Sequence, residues 1–343
     1  MFINTKQTRK AVIECMKAGL TCMIHGSPGI GKSSIIRSIA DEFSLEFIDL
    51  RLSTCDITDL NGMPNFDSKG KAYFAPFNVF PTEDTPIPDG KKGFLLFCDE
   101  FNGASKAVQL ASYKLILDRQ VGQYNLHPLC FVVCAGNLDT DNAITNDLST
   151  AMQSRLVHIN MEVDFKTWLE DVAIKENYDP RIIAYLNDYS TDLMNFNPEH
   201  TEQTFACPRS WSFVNELIKK VPELNKMHLA LITGSLGESV GSKFFTYTNV
   251  FSDIPTFEEI CLNKSLLDVP KELNKQWALI SMCMVNVTKE NIYDVIPFIE
   301  KFDTSFKVLF YRSVFLRIPE MLNDTKFMRK ITNISKYLFE DSE

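Results

Sequence analysis

The sequence predicts an α/β domain built on a parallel sheet, followed by an all-helical region. Three observations carry this. Short β-rich apolar runs alternate with helical patterns over residues 1–160. The strand-like runs stop after about residue 163. A glycine-rich turn joins the first clear strand to a helix. Alternation of this kind gives a parallel sheet with helices on both faces, whereas a sustained helical pattern gives helix-on-helix packing.

The expected strands are 21–25 (TCMIH), 45–50, 93–98, 129–135 and 156–159. Between them Ile35, Ile36, Ile39 and Phe43 form one apolar helical stripe, and Val108, Ala111 and Leu115 form another. In the second half Asp164 is placed to cap a helix that turns Phe165, Trp168, Leu169 and Val172 to one side. Asp179-Pro180 reads as a cap followed by a first-turn proline. Pro208 opens a third helix with Trp211, Val214, Leu217 and Ile218 inward. The expected division is an α/β core over 1–162 and a helical region over 163–343. Residues 61–92 hold five prolines and several aromatics, and fit neither pattern. A connection of that length in a compact domain is usually functional.

Composition sets outer bounds. The chain has 343 residues, 45% hydrophobic and 23% charged, which are globular values. Its net charge of -9 argues against a surface devoted to nucleic acid, although a local basic channel stays compatible with it. The first 160 residues carry 15 basic and 17 acidic side chains, so the acidity belongs mainly to the helical half. The nine cysteines are scattered without a Cys-x-x-Cys pair, as expected of reduced thiols. No signal-peptide pattern and no apolar run of membrane-spanning length is read, so the expected location is the cytoplasm and no membrane partner is expected.

Two motifs carry chemistry. Gly26-Ser27-Pro28-Gly29-Ile30-Gly31-Lys32-Ser33 fits the phosphate-loop pattern, with a strand before it and a helix after it, and the expected nucleotide-binding residues run from Gly26 through Ser34. Glycines let the backbone close on phosphate oxygens, and the helix N-terminus adds N–H groups and a positive dipole end. Lys32 would reach the β- and γ-phosphates, and Ser33 would ligate Mg²⁺. The second motif is the apolar run Phe94–Cys98 ending in Asp99-Glu100. Asp99 would hold Mg²⁺ and Glu100 would polarise the attacking water. No guanine-selective N-K-x-D element is present, so the expected cofactors are ATP and Mg²⁺. The five histidines lack metal-ligand spacing, and no nucleophile elbow or kinase motif set is found.

With these motifs in place, the chain resembles the AAA+ ATPases of the MoxR type, in the group with a helix-2 insert. The run DEFNGASKAVQLASYKLILDRQVGQY and the later AGN, SRL and CPRSW carry the likeness over roughly residues 20–220. The resemblance implies a P-loop three-layer sandwich followed by a helical lid and a C-terminal helical extension. It makes 61–92 the helix-2 insert, with Tyr73, Phe74, Phe77 and Phe80 in it, and 120–130 the hairpin before sensor 1. That hairpin lacks an Asn-Gly turn at Asn125-Leu126. The resemblance further makes Asn137 the sensor-1 residue, Arg155 an arginine finger acting on the neighbouring subunit's nucleotide, and Arg209 the sensor-2 arginine.

It also implies a ring oligomer of six subunits that remodels a separate protein partner, for instance one with a von Willebrand factor A domain. A rival reading is a nucleic-acid motor, with Lys69, Lys71, Lys91 and Lys92 lining a basic pore. A third is an ATP-driven assembly switch. Richness in Asn, Lys, Ile and Phe suits an AT-rich genome such as that of a phage.

Overall fold

The computed structural model describes residues 1–141, 146–199, 202–263 and 266–339. The chain forms two compact units. One comprises Met1–Val163 with Asn197–Glu199, and the other Asp164–Phe196 with the residues from 200 onward.

The first unit is built on a six-stranded, wholly parallel sheet. Its strands are β1 (Phe2–Ile3), β2 (Cys22–His25), β3 (Glu46–Arg51), β6 (Phe94–Asp99), β9 (Cys130–Gly136) and β10 (Val157–Met161), in the spatial order β1-β10-β2-β9-β6-β3. All five expected strands are present, with ends shifted by a residue or two. The two-residue β1 was not expected, because two residues cannot display a period. It pairs with β10 through Phe2↔Asn160 and Ile3↔Met161.

Both faces of this sheet are covered. Along β6 every residue is buried. Phe94, Leu96 and Cys98 pack with Val132, Cys134, Val108 and Leu115 in one cluster, whereas the alternate residues Leu95 and Phe97 are buried outside it. In a strand, successive side chains point to opposite faces, so the two sets mark two layers of helix. One layer includes the helix α4 (Lys106–Tyr113). Against the sheet also lie α1 (Thr5–Lys17), which contacts β9 and β10, and α2 (Lys32–Glu42), which contacts β3, β6 and β9. The helix α1 starts at a reciprocal cap, in which the Gln7 N–H donates to Asn4 Oδ1 at 2.9 Å and the Asn4 N–H to Gln7 Oε1 at 3.1 Å. Burying each large aliphatic side chain of such a core contributes about 1.5–3 kcal/mol.

Two antiparallel hairpins extend from the unit. Within 61–92, β4 (Met63–Phe66) pairs with β5 (Ala72–Ala75), following the short helix α3 (Ile57–Asn61). The aromatics of this segment divide. Phe80 is buried in the core, Tyr73 is half-buried, and Phe74 and Phe77 are exposed together with Met63 and Phe66. The other hairpin pairs β7 (Gln120–Val121) with β8 (Tyr124–Asn125). Its turn falls at Gly122-Gln123 rather than at Asn125-Leu126. Gly122 has φ +58°, and a Cβ there would sit 2.5 Å from the Asn61 carbonyl oxygen, so glycine meets both the turn geometry and the close approach. A short helix, α5 (Thr150–Gln153), precedes β10.

The second unit is helical, from α6 (Phe165–Trp168) to α16 (Ser335–Phe339). The Asp164 carboxylate accepts from the Thr167 N–H at 2.8 Å, and Asp179 caps α7 (Pro180–Asp188) with Pro180 in its first turn. In α8 (Pro208–Ile218), Trp211, Val214 and Ile218 are buried, but Leu217 is exposed. Trp211 anchors an aromatic cluster with Tyr185 and Phe244 and donates its indole N–H to the Asp192 carbonyl at 2.9 Å. At Gly241 in α10 (Glu238–Tyr247) a Cβ would stand 2.7 Å from Thr233 Cα in α9 (Lys226–Leu236), so this glycine permits close helix packing. Among the described residues no helix is long and apolar enough to cross a membrane.

Candidate nucleotide site

The site forms at the carboxyl ends of the interior strands β2, β6 and β9, where open parallel sheets hold their ligands. The loop after β2 runs from Gly26 to Gly31 and enters α2. Gly29 and Gly31 have φ of +79° and +95°, and Gly31 is the residue preceding the helix. A Cβ at Gly26 would lie 2.5 Å from Ile30 Cδ1 and 3.0 Å from the Met161 carbonyl oxygen. The loop is thus closed on itself by glycines, with an 11-residue helix starting at its end. That combination aims free N–H groups and a positive dipole end into the turn, a fit for phosphate oxygens.

Lys32, Ser33, Asp99, Glu100 and Asn137 meet here. Lys32 is buried, and its ammonium donates to the carbonyl oxygens of Gly26 and of Ser27, the latter at 3.0 Å, and to Asn137 Oδ1 at 3.2 Å. The Ser33 hydroxyl donates to Asp99 Oδ2 at 2.9 Å, and the Glu100 N–H donates to Asp99 Oδ1 at 2.8 Å. A hydroxyl beside a carboxylate at a helix N-terminus is a suitable donor set for a magnesium ion shared with phosphates. Burial, followed by the nearby Asp99 carboxylate, pushes the Asp49 carboxyl up.

Glu100 has φ +51°, a left-handed conformation uncommon for a residue with a side chain. It turns the chain directly after β6. Its carboxylate accepts a hydrogen bond from the Ser53 hydroxyl and lies 3.6 Å from Arg51 Nε. Arg155 is exposed, and its Nη1 donates to the Ala151 carbonyl at 2.7 Å, capping the short helix α5. Arg209 is exposed in the first turn of α8, in the helical unit.

Several neighbours escaped the sequence reading. Arg51 and Ser53 at the end of β3 hold Glu100, and only the strand order makes this visible, since parallel register sets Arg51 opposite Asp99. Asn102, two residues after Glu100, clamps the backbone of Asn137. His25 and His158 stack at 5.1 Å, with His25 Nε2 2.8 Å from His158 Nδ1. His158 Nε2 lies 2.9 Å from the Gln153 carbonyl, an acceptor only. In the neutral pair His158 therefore carries its proton on Nε2, and His25 donates from its own Nε2. Burial, and then His158, hold the His25 pKa below its ordinary value. Both rings face a cavity of about 560 Å³ that Asn102, Asp139, Gln153 and Ser154 also line.

The phosphate-loop region is similar to known proteins. Residues 22–69 match the family model described as "ATPase family associated with various cellular activities (AAA)". The matched residues take in the phosphate loop, α2 and β3, and the N-terminal unit has the parallel-sheet architecture of a P-loop ATPase. A stretch of 59 residues is 36% identical to the replication factor C large subunit of Aeropyrum pernix, covering 15% of this chain and 12% of that protein. The chain therefore spans about an eighth of the length of that relative. Among solved structures, a mutant of Thermotoga maritima RuvB is 16% identical over 84% of this chain and 85% of its own, with a TM-score of 0.37. A full-length MCM homologue from Methanopyrus kandleri is 22% identical over 45% of this chain and 33% of its own, with a TM-score of 0.31.

Proposed function

We propose that the protein is a MoxR-like AAA+ ATPase that hydrolyses ATP with Mg²⁺ in a ring oligomer and uses the cycle to remodel a separate protein partner. The observation that carries the ATPase reading is the convergence of Lys32, Ser33, Asp99, Glu100 and Asn137 on one glycine-closed turn. Bound magnesium would offset the charge that develops on the phosphate oxygens. In this reading the loop residues Gly26 to Ser34 hold the phosphates, Pro28 by its backbone shape and the others through backbone N–H groups, and Lys32 gives up its carbonyl partners for the β- and γ-oxygens. Ser33 and Asp99 hold the metal. Glu100 orients the water that attacks the γ-phosphorus and takes its proton, while the bond to the ADP oxygen breaks. Asn137 holds the same water or the γ-phosphate. Arg155 acts on a neighbouring subunit's nucleotide, a role its exposure at the end of α5 supports, and Arg209 is the sensor-2 cation.

The partner reading draws support from the hairpin β4–β5, which exposes Met63, Phe66 and Phe74. Apolar side chains gathered on a projecting hairpin are a contact surface for protein. The resemblance suggests a partner with a von Willebrand factor A domain. The test is ATP turnover measured with and without such a protein, using parent and Phe66→Ser/Phe74→Ser variants. Stimulation that the hairpin variant loses supports the reading, and turnover indifferent to every protein partner opposes it.

A nucleic-acid motor is the second reading, favoured by the match to a replication factor subunit and by Lys69 and Lys71, both exposed around the hairpin turn. Lys91 does not extend this patch, because its ammonium bonds the Leu45 carbonyl at 3.1 Å and sits 3.7 Å from Glu46. Binding to single- and double-stranded DNA across a salt series tests it. A motor on DNA loses affinity steeply as salt rises, and absence of binding at low salt counts against it.

A further inference from the structure

We propose that Asn102 is a positioning residue for ATP hydrolysis, acting through Asn137. The inference rests on the role given to Asn137 above. Asn102 lies in the turn after Glu100 and is 3% exposed. Its amide uses both ends on one target. Nδ2 donates to the Asn137 carbonyl at 2.8 Å, and Oδ1 accepts from the Asn137 N–H at 3.1 Å. A two-point clamp of this kind fixes the orientation of the Asn137 peptide groups as well as their position. The Asn137 side chain leaves from that fixed backbone and meets Lys32 Nζ at 3.2 Å.

The surroundings are shaped to the clamp. At Gly136 a Cβ would stand 2.2 Å from Asn102 Oδ1, so glycine is what lets the amide approach β9. The Asn102 carbonyl accepts from the Asn146 N–H at 2.6 Å, and Asn146 Nδ2 donates to the Ala104 carbonyl at 3.0 Å. The segment carrying Glu100 is thereby fastened to both Asn137 and Asn146. Because Asn102 follows Glu100 by two residues, one short turn sets the spacing between the two groups assigned to the attacking water, Glu100 and Asn137. Removing the amide would leave the Asn137 carbonyl and N–H without these partners and free its side chain to move. A misplacement of this size in an oriented site lowers the chemical step more than it lowers binding.

The experiment is a double-mutant cycle in the full chain, with ATP affinity and steady-state kcat measured for the parent, Asn102→Ala, Asn137→Ala and the double variant. Asn102→Ala should lower kcat by about 10–100-fold, as loss of an outer-shell partner does, and leave ATP affinity within about threefold of the parent, since little uniform binding is removed. In the Asn137→Ala background the same change should lower kcat no further, because the two act as one unit. Equal losses in both backgrounds would overturn the proposal, as would parental kcat in Asn102→Ala beside a crippled Asn137→Ala. Parental kcat in Asn137→Ala would instead remove the role of Asn137 itself, and the proposal with it. Should Asn102→Ala fail to fold, Asn102→Ser keeps a donor and an acceptor on a shorter arm and enters the same cycle with the same criteria.

Discussion

Ser33 Oγ donates to Asp99 Oδ2 at 2.9 Å and so ties the first turn of α2 to the end of β6. The two residues are 66 positions apart in sequence and belong to different motifs. Their contact is what makes the phosphate loop and the acidic strand end one site. In the proposed mechanism the same pair holds magnesium, so their spacing matters more than their mutual hydrogen bond. Ser33→Ala should therefore weaken Mg²⁺-dependent nucleotide binding while leaving Mg²⁺-free binding nearly as in the parent. Titration of a fluorescent ATP analogue with and without EDTA reads this directly. Equal loss in both conditions would assign Ser33 to the phosphates alone.

Lys32→Ala should abolish tight ATP binding. The buried ammonium is the cation of the loop, and in its place a methyl group offers the phosphates nothing. Calorimetry on the purified variant checks this, with a melting curve to confirm that the fold is kept. Binding at parental affinity would show that the loop backbone suffices without the lysine.

His25 gives the protein a predicted response to pH. Its folded-state pKa is held below the ordinary 6.5 by burial, by His158 and by Lys32, with Asp139 opposing. Below about pH 6.5 the unfolded chain takes up a proton that the native chain refuses, so stability falls as pH drops through that window. The melting temperature should decrease between about pH 7 and pH 5, and His25→Gln should flatten part of that slope. An identical slope in the variant would assign the dependence to other groups.

The hairpin and the core separate by stability. Phe80 is buried, so Phe80→Ala should cost about 3–5 kcal/mol, the range for large core aromatics. Phe74 is exposed, so Phe74→Ala should change stability by less than about 0.5 kcal/mol, as surface changes do. Denaturant unfolding of the two variants decides. A large loss in Phe74→Ala would mean that the ring is held by contacts its exposure does not suggest.

Much of the α/β unit was legible in the sequence because its signals are local. A buried parallel strand is a short apolar run, a helix is a 3.6-residue stripe, and the phosphate loop is contiguous. Long-range pairing was not legible. Nothing in residues 46–53 says that Arg51 and Ser53 will face Glu100, since that follows from β3 lying beside β6. Asn102 stands in the sequence next to a recognised motif, but its function as a clamp depends on β6 and β9 being neighbours. The His25–His158 contact likewise needs β2 beside β10. The 120–130 hairpin lacks an Asn-Gly signal to place its turn, and the structure puts the positive φ on Gly122. The helical stripe of α8 predicts Leu217 inward, and the packing of the helix leaves it exposed.

Arg155→Ala should bind ATP nearly as the parent does and hydrolyse it poorly, since fingers acting on a neighbour's nucleotide are worth about 10³–10⁵ in rate. Mixing it with Lys32→Ala should restore part of the activity, because some interfaces then pair an intact Arg155 with an intact Lys32 loop. Full turnover by Arg155→Ala alone would make it a structural arginine that caps α5.

The most direct test of the ATPase assignment is Mg²⁺-dependent ATP turnover by Glu100→Gln beside the parent, with ATP affinity measured on the same preparations. The amide fills the space of the carboxylate but cannot take the proton of the attacking water. The account predicts parental affinity and a rate reduced by about 100-fold or more, the scale of a lost general base. Glu100→Gln turning ATP over at the parental rate, or a parent protein that hydrolyses no ATP under any condition of salt, magnesium and concentration, would contradict it.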